Sequence, residues 1–271
     1  MKKKLFFGMV LTLVAALALT GCGDKKEAAK EHNKDTLVVG LDDTFAPMGF
    51  RNEKGELIGF DIDLANAVGK ELGMKVEFKP IDWKAKEAEL ASGNIDCVWN
   101  GMSATPERKE KMALSARYLD NKIVLMALKD SSVDVSDPAQ LSKLKIGTQE
   151  DSAALEMLKS NKEYDKFKNN IAEYPTYDAA ILDLKAGRVD VIAVDQVLGM
   201  YTNKNLGGIM KECAYNLGSD FYVIGFKKGN EELRDKVDGA LKKIVDDGQA
   251  GKISDQWFGE NIAVYQPLES K

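Results

Sequence analysis

From Thr36 onward the chain alternates short apolar runs with longer stretches in which apolar residues return every three or four positions. "TLVVGL" reads as a strand. "FDIDLANAVGKELG" puts Leu64, Ala65, Val68 and Leu72 on one helical face and stops at Gly73, a residue that tolerates the left-handed conformation of a helix end. "KVEF" is the next strand, "KAKEAELASG" a helix closing at Gly93, and "IDCVW" the third strand. Strand, helix, strand at these lengths implies parallel pairing through crossover helices, hence an α/β architecture. A second unit begins after Asn121. In it "LSKLKIGTQ" leads into the helix "SAALEMLKSN", the helix "YDAAILDLKAG" ends at Gly187, and the strand "RVDVIAVD" ends at Asp195. The tail offers a strand in "FYVIGF", a long amphipathic helix, and a short helix carrying Trp257 and Phe258.

The pattern breaks at the N-terminus. Lys2 to Lys4 form a basic head, Leu5 to Thr20 an apolar core, and Leu19-Thr20-Gly21-Cys22 a small-residue cleavage site running into cysteine. The order of parts reads as an export signal and resembles that of bacterial lipoproteins, in which the cysteine becomes the lipidated first residue. The expectation is a signal over 1–22 and a lipid on Cys22. The next segment, 23–35, is charged and free of large apolar residues, so it buries too little surface to fold and reads as a tether.

Charge and composition then narrow the chemistry. The chain carries a net charge of −5, and because its leader and tether are lysine-rich the remainder is more acidic still. A nucleic-acid partner is therefore not expected. The single histidine, His32, lies in the tether, so the folded part lacks the histidine needed by most hydrolase triads and zinc sites, and no metal or cofactor is expected. Cys97 and Cys213 remain inside the body. Cys97 sits in an apolar run and reads as a small buried hydrophobe; pairing of the two is left open by sequence.

One stretch, "WNGMSATPERKE", carries an unexplained charge. Thr105 is a good N-cap, Pro106 suits the first helical position and Glu107 favours the positive end of the helix dipole. Arg108, in the same first turn, is misplaced unless an anion sits opposite.

"LDDTFAPMGF", "GELIGFDIDLANAVGKELG", "WNGMSATPERKE" and "AVDQ", in this order behind a lipoprotein-like signal, resemble the polar amino-acid-binding proteins of ABC importers. The resemblance spans essentially the whole mature chain. It implies a two-lobed α/β clamp of the type II periplasmic-binding-protein kind with two hinge crossovers, lobe one over 36–119 plus 218–271 and lobe two, with hinge strands, over 120–217. It also implies that Arg108 grips the carboxylate of a free L-amino acid and that Asp195, at the end of an apolar strand, pairs with its ammonium. A capping role before "QVLGMY" is the alternative for Asp195.

The same resemblance puts Ser103, Asn100 and Gly101 at the ligand's backbone groups and Ser152 across the cleft. Asp151 stands before Ser152 where the family has glycine, and reads as a helix N-cap facing away. Phe45 and Trp83 fall at platform positions for the ligand side chain, with core packing as their alternative. Asp42, with Asp43 and Asp82 nearby, falls where relatives meet the ligand's polar end, so the pocket leans towards a basic side chain such as arginine or lysine, with glutamine or cystine still open. The expected role is capture and delivery to a membrane permease driven by an ATPase, by a protein held on the extracytoplasmic side through its lipid. Two rivals stand beside it: a dehydratase-like enzyme on the same scaffold and a sensory ligand-binding domain.

Overall fold

A computed structural model describes residues 35–268. The expected export signal, the lipidation site Cys22 and all of the tether but Asp35 lie outside the described residues.

One sheet runs through the molecule. Its strands lie in the order Ile171–Tyr174, Ile146–Gln149, Val191–Asp195, Arg117–Leu128, Met210–Lys227, Cys97–Ser103, Thr36–Leu41 and Lys75–Pro80. At either end the strands are parallel: Thr36–Leu41 pairs with both Lys75–Pro80 and Cys97–Ser103, and Ile146–Gln149 pairs with both Ile171–Tyr174 and Val191–Asp195. The two parallel groups are joined by the long antiparallel strands Arg117–Leu128 and Met210–Lys227, which run from one lobe into the other. The register of these crossing strands slips twice, at Glu212/Asn216 and at Asn216/Gly218, where the ladder bends between lobes. The result is a mixed α/β fold in two lobes of the type II periplasmic-binding kind.

Local chemistry sets several element ends. Helix Phe60–Leu72 stops at Gly73, which takes φ 67 and returns its N–H to the carbonyls of Gly69 and Lys70. Helix Lys86–Ser92 ends the same way at Gly93. Each lobe packs its helices over its own buried strands. Leu37, Val39, Leu64 and Val68 lie in one apolar cluster, which continues through Tyr177, Ile181 and Ile192 into the second lobe, and Ile146, Ala154, Leu158 and Val191 lie in another. Cys97 belongs to the first cluster and Cys213 to the second, both as free thiols.

Two segments differ from their reading in the sequence. "NGMS", beyond the run "IDCVW" read as a strand, belongs to the same strand, Cys97–Ser103, with every residue buried. The strand expected at "FYVIGF" begins eleven residues earlier, because Met210–Asp220, the first part of a crossing strand, is mostly half-buried or exposed and shows no long apolar run. Among the described residues no helix is long and apolar enough to cross a membrane.

Candidate functional site

Where the two lobes meet, the cleft is nearly shut around a space of about 10 Å³, lined by Phe45, Trp83, Gly101, Ser103 and Arg108 from one side and Gln149, Ser152, Ala153, Tyr177 and Asp195 from the other. Seven of the nine expected ligand contacts therefore share one cavity. Asp42 and Asn100 stand behind it.

Helix Pro106–Lys111 starts as its sequence requires. Thr105 caps it by accepting from the Arg108 N–H at 3.3 Å, and Pro106 occupies the first turn. The cap turns the Arg108 side chain inward, where it is 2% exposed. Its Nη1 donates to the Ser103 carbonyl at 3.1 Å and its Nη2 crosses the cleft to the Asp151 carbonyl at 2.8 Å. The guanidinium lies 5.6 Å from the Trp83 ring centre, so Trp83 serves as a cation platform as well as a wall. Both acceptors are neutral carbonyl oxygens, so neither hydrogen bond supplies the guanidinium with a counter-charge of its own.

Asp195 faces the same cavity from the end of strand Val191–Asp195. It sits at the N-cap position of helix Gln196–Asn205 yet makes no capping bond, which removes the alternative drawn from sequence. Its carboxylate accepts instead from Asn121 Nδ2 at 2.8 Å, the Tyr222 hydroxyl at 3.0 Å and the Tyr177 hydroxyl at 3.3 Å. Burial, reinforced by the charge of Asp220, pushes its pKa up to about 7, against the donors and the more distant Arg108. A buried carboxylate so destabilised is a ready acceptor for a cation.

Gly101 answers two demands at once. Its φ is 55, and a Cβ there would stand 2.8 Å from Phe45 Cε1. Its N–H donates to Asp61 Oδ2 at 2.7 Å, and the Tyr118 hydroxyl donates to the same oxygen at 2.9 Å. Asn100 supports the wall from behind, its Oδ1 accepting the Asp42 N–H at 3.2 Å. The Ser103 hydroxyl donates to Asp220 Oδ2 at 2.6 Å, so its first partner is another side chain of the site.

The opposite wall corrects two expectations. Ser152, not Asp151, caps helix Ala153–Lys159, its Oγ accepting from the Leu155 N–H at 3.1 Å. The hydroxyl is thereby engaged with its own helix. Asp151 takes φ 55, the conformation glycine adopts freely, and is the one non-glycine residue of positive φ among those described. Its carboxylate does not face away. It pairs across the cleft with Lys86, whose side chain is wholly buried and whose pKa is lowered by burial and then by Arg108.

Asp42 spends its oxygens on Thr44, through N at 2.9 Å and Oγ1 at 2.7 Å, and on Gln149 Nε2 across the cleft at 2.7 Å. The carboxylate thus stands behind Gln149, which itself lines the cavity. Asp178 lies close to Asp42, its pKa raised by burial and then by the Asp42 charge. Asp43 pairs with exposed Arg51 and Asp82 caps the turn at Lys84, which takes both away from the cavity.

Sequence reasoning missed Gln149, Tyr177, Asn121, Tyr222, Asp220 and Lys86. Two of them carried a signal. Gln149 is a polar residue ending a buried strand, and Asp220 heads an apolar run as Asp195 ends one. Tyr177 reads as an ordinary core aromatic, and only the tertiary fold sets it 5.9 Å from Phe45.

The model of the bacterial extracellular solute-binding proteins, family 3, matches residues 37–260. The L-cystine-binding protein TcyJ of Escherichia coli (strain K12) is 28% identical over 257 residues, covering 94% of each chain. The arginine-binding extracellular protein ArtP of Bacillus subtilis (strain 168) is 30% identical over 264 residues, covering 92% of this chain and 97% of its own. Among solved structures, an ABC uptake transporter substrate-binding protein from Streptococcus pneumoniae with bound histidine superposes with a TM-score of 0.80 at 35% identity, over 85% of this chain and 95% of that one.

Proposed function

The chain belongs to the bacterial extracellular solute-binding proteins, family 3, and from that premise we propose that its cleft closes on a polar L-amino acid held as a zwitterion, carboxylate on Arg108 and ammonium on Asp195. It is a binding protein of an ABC importer and not an enzyme: the relatives it matches are binding proteins for cystine, arginine, glutamine and histidine. The observation that carries the proposal is the placement of a buried guanidinium and a buried carboxylate on opposite lobes of one cavity, each without a full counter-charge of its own.

Phe45 and Tyr177 grip the ligand's stem. Asp42 and Asp178 lie towards its far end, with the Gln149 amide between lobes, which favours a basic or amide-bearing side chain. Ligand first docks on the Arg108 lobe, and closure adds Asp195, Gln149 and Tyr177; only contacts made in the shut state drive the hinge. The closed form is read by a membrane permease coupled to an ATPase, and a lipid on Cys22 holds the binder on the extracytoplasmic face.

Isothermal titration against the common L-amino acids tests this. The expected result is micromolar or tighter binding of a polar or basic L-amino acid and none of the matching compounds lacking either the carboxylate or the amine. Equal binding of a deaminated analogue removes Asp195 from the ligand.

A further inference from the structure

Behind Asp195 lies a second carboxylate that an ammonium pocket does not need. Asp220, half-buried on the crossing strand Met210–Lys227, stands opposite Asn121 in register with the other crossing strand. One amide nitrogen serves both acids: Asn121 Nδ2 donates to Asp195 Oδ1 at 2.8 Å and to Asp220 Oδ2 at 3.0 Å. The amide is held that way round because its Oδ1 accepts from the Val197 N–H at 3.5 Å. Asp220 Oδ2 also takes the Ser103 hydroxyl at 2.6 Å. The cluster therefore links a lobe-two strand end, both crossing strands and the lobe that carries Arg108.

We propose that Asp220 is a positioning residue for amino-acid capture, acting through Asn121 and Ser103, and that the Asp195–Asp220 pair exchanges a proton for the ligand's ammonium when the lobes close. The inference rests on the zwitterion reading above. Two carboxylates bridged by one amide repel each other, and a closed, poorly hydrated cleft accepts them together only if a positive charge joins them. That charge is a proton in the free protein and the ligand's ammonium in the complex. On binding, the carboxylic O–H breaks, the proton leaves to solvent, and the pair of electrons stays on the carboxylate that receives the ammonium. A ligand with a carboxylate alone neutralises Arg108 but leaves the acid pair protonated, so it binds without releasing a proton.

The groups facing the pair support this assignment. Tyr177 and Tyr222 donate to Asp195, Ser103 and Asn121 to Asp220 or to both, and Arg108 is the cation whose field lowers both acids. Burial outweighs them all, and it raises the pKa of each carboxyl. Interacting acids titrate as a pair, so the exchanged proton belongs to both.

The test is titration of the whole protein with L-arginine and L-glutamine between pH 5.5 and 8.5, in buffers of different ionisation enthalpy, so that the change of apparent heat with buffer counts protons released. The wild-type protein is expected to release close to one proton near pH 6 and almost none above pH 8, with affinity rising about tenfold per pH unit below the midpoint. Asp220→Asn keeps the shape and removes the repulsion, and its midpoint is expected to fall by about one pH unit or more. Ser103→Ala, which strips a donor from Asp220, is expected to move the midpoint up. An unmoved midpoint in Asp220→Asn, or heats independent of buffer in the wild type, overturns the inference while binding itself stands. Failure of every L-amino acid to bind at any pH overturns the zwitterion reading and this inference with it.

Discussion

Asp61 and Asp195 are two carboxyl groups in nearly the same physical condition: each is almost fully buried, each is pushed to a pKa of about 7, and in each the leading cause is burial. They differ in what they face. Asp61 turns into its own lobe, holding the Gly101 N–H and the Tyr118 hydroxyl, and does not line the cleft cavity. Asp195 lines the cleft and is tied to both crossing strands, through Asn121 and Tyr222. A perturbed acid marks stored electrostatic cost. Whether that cost serves the wall or the ligand depends on access to the cavity and on which elements move around it.

Substitution separates the two. Arg108→Ala and Asp195→Asn each remove one pole of the zwitterion's cradle and are expected to weaken binding by about 2–5 kcal/mol in isothermal titration, whereas Asp61→Asn is expected to leave affinity within about threefold. A comparable loss in Asp61→Asn would erase the distinction. Stability should invert the ranking. Asp61→Ala leaves a buried N–H and a buried phenol without an acceptor, and is expected to cost about 1–3 kcal/mol in denaturant unfolding, more than Asp195→Asn costs.

Titration sharpens the same contrast. Both folded-state pKa values lie above the usual 3.8, so folding favours the protonated carboxyls; their contribution to stability is full below about pH 4 and is lost as pH rises towards about 7. Ligand affinity runs the other way, because the ammonium needs ionised Asp195: it should rise through about pH 7 and level off above pH 8, by about 1–3 kcal/mol in all. Asp61→Asn should leave the affinity profile unmoved and flatten part of the stability profile.

At the rim the effects shrink with exposure. Asp151→Asn keeps a residue that tolerates the left-handed conformation but discharges the partner of buried Lys86, so about 0.5–1.5 kcal/mol of affinity is expected to go, chiefly through faster dissociation. The neighbouring Lys84–Glu150 contact, 2.9 Å long with Lys84 65% exposed, is screened by solvent, and Lys84→Ala measured the same way is expected to leave affinity unchanged.

How much of this was legible beforehand follows from the range of each interaction. Helix Phe60–Leu72, its stop at Gly73 and the Thr105 cap depend on neighbours in sequence, and periodicity with capping chemistry finds them. Arg108 stood out because its charge opposed its own helix, and Asp195 because it ended an apolar strand. Asn121 and Asp220 are 99 residues apart and acquire meaning only when the crossing strands pair, so no local pattern announces them. Asp151 misled for a related reason: its partner, Lys86, lies 65 residues away on the facing lobe, and from sequence alone an aspartate before a helix reads as its cap.

The most direct test is a crystal structure of the protein with a bound L-amino acid. The ligand carboxylate is predicted within about 2.7–3.2 Å of the Arg108 guanidinium and its ammonium at the same range from an Asp195 oxygen. A ligand whose charged ends meet neither group, or an Asp195 still bonded only to Asn121, Tyr177 and Tyr222, would contradict the account.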